Sequence, residues 1–277
     1  MITREIVNKA IDFILANLRN DISVDDVAAY CGYSKFHFCR LFKTQTGESV
    51  YAFVKRMRME QCAFRLKVER HRTVSDIGID YGLSSSNFAT LFREFQDTSP
   101  YYFRKGAVRR SVEHPFFHAE NDELESFDEC RKKITIEMLP DYHVVYERRK
   151  GNYHNLSGDW CAFIEKYGTY HTENSLLFER TYSDPSVTDA DSCLYDICME
   201  VPLGCPLENT CTLTGGKFAV YHFNGSPKLI FAAYQSVFNV WMPCTGALTD
   251  NRYGFDIYRN VAADASHMEI DLCIPIC

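Results

Sequence analysis

The stretch VDDVAAYCGYSKFHFCRLFK, Val24 to Lys43, decides the reading of the first part of this chain, because it is written twice. Fifty residues further on stands VSDIGIDYGLSSSNFATLFR, Val74 to Arg93. Val24, Asp26 and Val27 lie over Val74, Asp76 and Ile77; Gly32, Ser34 and Phe38 lie over Gly82, Ser84 and Phe88. Leu41, Phe42 and Lys43 lie over Leu91, Phe92 and Arg93, and the match runs on through Ser49, Tyr51 and Phe53 against Ser99, Tyr101 and Phe103. A register kept at one offset over so long a span marks a duplicated supersecondary unit.

The spacing inside each copy has a physical meaning. A small residue (Ala28, Gly78) precedes a glycine (Gly32, Gly82) by four positions, and a phenylalanine (Phe38, Phe88) follows six later. The small residue lets two helices approach, the glycine supplies positive φ for a tight turn, and the phenylalanine plugs the second helix into a core. This is helix-turn-helix spacing, with Ser34 and Ser84 as N-caps of the second helices. Between the copies, Ser49–Lys67 places Tyr51, Val54, Met57, Cys62 and Leu66 at helical spacing, which predicts one long connecting helix. Such a strut would set the two second helices about 34 Å apart, one turn of DNA. The plain alternative is a duplicated helical scaffold with no nucleic-acid role.

Charge supports DNA. The formal net charge is −7, yet residues 1–110 carry 18 Lys+Arg against 12 Asp+Glu, and residues 111–277 carry 12 against 25. A basic first part (+6) joined to an acidic second part (−13) suits one domain for a polyanion and another for a different partner. No apolar run approaches the roughly 18 residues that span a bilayer, so no membrane partner is expected. The start, MITREIVNKAIDFILANL, reads as an amphipathic helix and not as an export signal. The 12 cysteines are scattered without a C-x-x-C pair, which fits free thiols in the cytoplasm better than disulfides or structural zinc.

On these residues the chain resembles the AraC/XylS family of transcription regulators. The carriers are Ile22–Lys43, the run Arg56-Met57-Arg58-Met59-Glu60, Val74–Arg93, and Thr98-Ser99-Pro100-Tyr101-Tyr102-Phe103-Arg104. The resemblance covers about residues 3–106 and is nearest to monomeric stress-response activators with this domain at the N-terminus. It implies an all-α domain of seven helices (residues 1–108), double-stranded DNA with an asymmetric site, and RNA polymerase as a further partner.

The candidate DNA-binding residues of the first copy are Lys35, Phe36, His37, Cys39, Arg40 and Lys43. The planar fork of Arg40 fits guanine O6 and N7, and the family places a base-contacting arginine there. Phe36 falls where relatives carry tryptophan, and Lys35 and Lys43 suit phosphates. The second copy offers Ser84, Ser85, Ser86, Asn87, Thr90 and Arg93, with Thr90 in the place of Arg40. Its turn is one residue shorter than the family's usual turn, and this weakly charged helix need not enter its groove as its twin does.

Residues 109–131 are acidic and aperiodic and read as a linker. Strand patterns begin after Lys132, with ITIEM and YHVVYER, then a helix at Leu156–Tyr167, then LLFERTY and SCLYDICMEV. The order recurs as a strand at Lys217–Phe223, a helix at Leu229–Met242, and strands at Tyr253–Arg259 and Met268–Ile276. Gly151-Asn-Tyr153 matches Gly225-Ser-Pro227, and Asp196-Ile197-Cys198 matches Asp271-Leu272-Cys273. The expectation is an α+β domain (132–277) of two strand-helix-strand-strand repeats that enclose a groove.

This half resembles the GyrI-like small-molecule-binding domain. The carriers are Leu139-Pro140, Gly151-x-Tyr153, Trp160, Tyr182-Ser183-Asp184-Pro185, Gly216-Lys217-Phe218-Ala219-Val220, Trp241-Met242-Pro243, Phe255-Asp256-Ile257-Tyr258 and Ile274-Pro275-Ile276. The resemblance implies a small-molecule effector that is bulky, aromatic and often cationic. The candidate ligand-binding residues are Tyr153, Trp160, Tyr182, Trp241 and Tyr258 as aromatic walls, and Glu179 and Asp256 as acids. Asp256 stands where relatives carry a ligand-facing glutamate. Strand alternation puts Asp256 and Tyr258 on one face, Phe255 and Ile257 on the other. No nucleophile elbow, H-E-x-x-H or phosphate-binding glycine loop occurs, so no catalytic residue and no cofactor is expected. Two other readings stay open: a hydrolase using a carboxylate and a tyrosine in the groove, and a protein-binding module.

Overall fold

The computed structural model describes residues 1–2, 5–119 and 123–277, apart from the side chain of His154. The chain divides into two compact units, Met1–Gly106 and Ala107–Cys277.

Among the described residues seven helices build the first unit: α1 (Glu5–Ala16), α2 (Val24–Tyr30), α3 (Lys35–Thr46), α4 (Val50–Val68), α5 (Val74–Ile79), α6 (Ser85–Gln96) and α7 (Pro100–Lys105). The duplication is visible atom by atom. Gly32 and Gly82 both turn at φ +73°. Tyr33 N–H reaches Ala28 C=O at 3.1 Å, and Leu83 N–H reaches Gly78 C=O at 3.1 Å. Locally the two turns are the same, and the copies differ in side chains.

Each copy closes on a phenylalanine trio. Phe42 meets Phe53 edge-on at 5.5 Å and 81°, and Phe92 meets Phe103 at 5.2 Å and 80°. Phe38 and Phe88 complete the trios, and all six rings are buried. Edge-to-face packing of this kind adds about 0.5–1.5 kcal/mol per pair beyond area burial.

The connecting helix α4 has 19 residues, about 28 Å at 1.5 Å per residue. Ion pairs lock it to both copies. Arg56 reaches Glu48 at 2.8 Å and Glu60 at 2.7 Å, while Arg65 reaches Glu69 at 3.1 Å and Asp80 at 3.9 Å. Arg58 donates to the carbonyls of Leu18 and Asn20. The arginines of the Arg56–Glu60 run are thus spent within the domain.

The second unit is α+β. It contains α8 (Ala107–Val112), α9 (Phe127–Lys133), β1 (Ile134–Leu139), β2 (Tyr142–Lys150), α10 (Leu156–Tyr167), β3 (Leu177–Thr181), β4 (Leu194–Glu200), β5 (Thr210–Leu213), β6 (Gly216–Gly225), α11 (Ile230–Ser236), β7 (Phe255–Val261) and β8 (Met268–Pro275). The strands form one antiparallel sheet in the order β1-β6-β8-β7-β3-β4-β2-β5. Read from either edge, the order has the same form. β1 pairs with β6 and β5 with β2, so each edge strand lies in the other half from its neighbour in sequence. The central seam is β3 against β7.

One face of the sheet carries Tyr142, Val144, Phe178, Phe218, Phe255 and Ile257 in a shared core. The other face carries Val145, Tyr195 and Ile197, packed on Phe163 and Tyr167 of α10. Period-two alternation assigns every strand residue to one face or the other.

Three expectations are corrected here. Residues 109–131, expected as a linker, are built into the second unit where described; 120–122 lie outside the described residues. Ser111 donates to Gln235 at 2.7 Å, Glu125 N–H donates to Ser236 Oγ, and Phe117 packs on Phe231. The aperiodic pattern arises because these polar groups answer buried polar residues of α11 and not a helix stripe. Strand β5 is a four-residue edge strand that the sequence reading left out. The helix expected over Leu229–Met242 begins as a 3₁₀ turn, runs as α11, and widens into a π turn at Val237–Trp241.

Candidate functional site

On α3, Lys35, Phe36, His37, Arg40 and Lys43 are exposed and Cys39 is half-buried. They alternate with the buried Phe38 and Phe42, which fix the helix's inner side. Phe36 is 89% exposed, an unusual position for an aromatic ring unless something covers it. Lys35 pairs with Asp25 at 2.7 Å in the open, and His37 stacks on Tyr33 at 5.3 Å. Arg40 and Lys43 lie one turn apart or nearly so on the same exposed side.

On α6, Ser84, Ser85, Ser86, Asn87, Thr90 and Arg93 are all exposed. Two of them have local duties. Ser84 accepts the Asn87 N–H as an N-cap, and Thr90 donates back to the Ser86 carbonyl at 3.1 Å.

In the second unit the structure brings five of the seven expected ligand residues together. Glu179 of β3 and Asp256 of β7 are directly opposite in register, and both are buried. Tyr258 donates its hydroxyl to Glu179 at 3.0 Å. Trp160 of α10 meets the Tyr258 ring edge-on at 5.2 Å. Tyr153 stacks on Tyr195 at 4.6 Å, and burial followed by the charge of Glu179 lifts its hydroxyl well above the usual value. Burial pushes the Glu179 carboxyl up to about 7, against the opposing hydrogen bond from Tyr258. Burial, then the neighbouring Glu179, drives Asp256 well above its ordinary range.

Two residues do not join them. Tyr182 donates to Asp196 at 2.7 Å and lies with Arg148 and Arg180. Asp196 shares its face with Cys198 of the shared core, opposite to Glu179. Trp241 is buried in the π turn, with no ring contact to Trp160 or Tyr258 among the described residues. Conversely, Tyr234 of α11 was missed: its hydroxyl hydrogen-bonds Asp256. Tyr195 was missed too. The duplication carried the signal for Tyr234, since the offset that matches Gly151 to Gly225 places Trp160 over Tyr234.

Among the described residues no group of His, Cys, Asp or Glu is placed to hold a metal ion, and no helix is long and apolar enough to cross a membrane. All twelve cysteines are free thiols.

Comparison with known proteins matches residues 132–276 to the GyrI-like small molecule binding domain and residues 27–106 to a helix-turn-helix domain. The multiple antibiotic resistance protein MarA of Escherichia coli is 30% identical over 99 residues, covering 35% of this chain and 77% of MarA. The transcriptional regulator Rob of Salmonella typhimurium is 29% identical over 103 residues, covering 37% of this chain and 35% of Rob. A cryo-EM structure of an EcmrR–DNA complex superposes with a TM-score of 0.46 at 13% identity, covering 88% of this chain and 84% of that one. The chain belongs to the AraC-type DNA-binding transcription regulators and carries, as its C-terminal half, a GyrI-like small-molecule-binding domain.

Proposed function

We propose that this regulator is an activator that senses a bulky cationic aromatic compound through Glu179, Asp256 and the surrounding rings. The observation that carries the reading is the acid pair: two buried carboxyls at the seam of the sheet, walled by Tyr153, Trp160, Tyr234 and Tyr258. Buried acids attract a cation strongly in low dielectric, and aromatic faces add about 0.5–2 kcal/mol per cation contact.

On the DNA side, Arg40 reads bases beside Phe36, Lys35 and Lys43 hold phosphates, and α6 clamps the backbone through its serines, Asn87 and Arg93. RNA polymerase is the partner that an activator requires, and the cytoplasm is the compartment that DNA requires. Sensing is favoured over hydrolysis because this domain is joined to a DNA reader.

The test combines transcription in vitro from the regulator's own upstream region with thermal melting of the full chain against quaternary amines and cationic dyes. A compound at a hundred times its Kd should stabilise the chain by about 2.7 kcal/mol, raise transcript, and lose both effects in Asp256→Asn. Stabilisation by neutral aromatics alone, or turnover of the bound compound, would overturn the reading.

A further inference from the structure

Among the described residues seven carboxylates are buried: Glu60, Glu69, Glu147, Glu179, Asp196, Asp256 and Asp271. Five have a basic partner inside the fold. Arg56 holds Glu60, Arg65 holds Glu69, Lys166 holds Glu147, Arg148 holds Asp196 and Arg259 holds Asp271. Glu179 and Asp256 make no ion pair with any described lysine, arginine or histidine; their partners are the hydroxyls of Tyr258 and Tyr234. The fold thus supplies the counter-charge everywhere except at the one place where two carboxyls face each other across the seam.

From this we infer that the effector carries two positive charges, one for each carboxyl of the Glu179–Asp256 pair, on an aromatic body. The inference rests on the reading of this site as the effector site and deepens it. Directly opposed residues on antiparallel strands have Cβ atoms about 5 Å apart. The ligand's two cationic centres are therefore close together, as in a 1,3-diamine or a comparable dication, and not at the ends of a long chain.

The empty pair cannot hold two full charges, because like charges at this distance in a buried site repel. The titratable groups facing it from the packed elements are all neutral acids: Tyr153 before α10, Tyr195 of β4, Tyr234 of α11 and Tyr258 of β7. None of them offers a positive charge. A monocation satisfies one carboxylate while the other keeps its proton. A dication ionises both, and the displaced proton leaves to solvent.

Isothermal titration of the full chain at pH 7, in two buffers of different ionisation enthalpy, tests this with a matched pair of probes. N-benzyl-1,3-propanediammonium and N-butylbenzylammonium share an apolar body and differ by one charge. The expected result is about tenfold or greater preference for the dication, with more proton release than for the monocation. Glu179→Gln should erase the preference for the dication and the extra proton release, because only one carboxyl then remains to be ionised. Asp256→Asn provides the reciprocal variant, and a melting curve for each verifies folding. Equal affinities, or a preference that survives in Glu179→Gln and in Asp256→Asn, would overturn the inference alone. Binding of neither probe would overturn the effector reading together with it.

Discussion

The Cβ that Gly78 lacks would fall 2.7 Å from Cδ1 of Phe88, inside any tolerable contact. The first copy carries Ala28 at the same position, so the second helical pair is the more closely packed of the two. Phe88 is wholly buried and cannot swing outward. Gly78→Ala should therefore destabilise the first unit by about 1–3 kcal/mol through overpacking, despite the better helix propensity of alanine. Chemical denaturation of the full chain, followed by a probe of helix content, measures it. Unchanged or increased stability would show that Phe88 relaxes freely.

The unequal faces of α3 and α6 predict unequal losses. Arg40→Ala should cost about 1–3 kcal/mol on the preferred site and flatten the discrimination at one or two base positions. Asn87→Ala and Arg93→Ala should weaken binding on all sequences, with Arg93→Ala also lowering the salt slope by about one. Competition binding on a randomised duplex at several salt concentrations separates the two behaviours. A uniform loss for Arg40→Ala would move it to the phosphate class.

Asp196 is fully buried between Arg148 at 2.8 Å and Arg180, with the Tyr182 hydroxyl on the same oxygen as Arg180. Burial alone would raise its carboxyl, but the two guanidinium groups outweigh burial and hold it below 3.8. Because the folded value is depressed, its contribution is present above 3.8 and is lost as pH falls through the folded value. Asp196→Asn should destabilise the second unit by about 3–5 kcal/mol at neutral pH, since it strands two buried cations. It should also flatten the acid limb of the stability profile.

Glu179 shifts stability in the opposite sense. Its folded value is raised from 4.5 to about 7 by burial. The folded state therefore keeps a proton that the unfolded chain releases. The contribution is complete below 4.5 and declines as pH rises through about 7. The loss amounts to about 3 kcal/mol at one pH unit per 1.36 kcal/mol. Glu179→Gln should remove this decline, so that the variant gains stability over the native chain as pH rises from 5 to 8. Parallel melting curves that track each other across that window would contradict it.

Much of the first unit was legible because its determinants are local. Each turn glycine, N-cap and phenylalanine acts within one helical hairpin, and the duplication doubled the signal. The exposed side of α3 followed from the period of Phe38 and Phe42 alone. In the second unit, alternation correctly separated Asp256 and Tyr258 from Phe255 and Ile257. The same alternation places Tyr182, three positions from Glu179, on the opposite face with Phe178 and Arg180, and there it meets Asp196. The supposed linker escaped because Ser111 and Glu125 are ordered by single hydrogen bonds to α11, which no periodicity records.

The sequence by itself determined the paired helix-turn-helix, the order of the strands and helices of the second half apart from β5 and the helices before β1, and the faces of Phe255 to Tyr258. Those depend on neighbours a few positions away. Only the tertiary structure decided that Glu179 stands opposite Asp256, that Tyr234 caps the latter, and that no cation among the described residues pairs with either acid. The register of two strands so far apart in the chain is set by how the two halves share one core across the seam. No local pattern of residues contains that information.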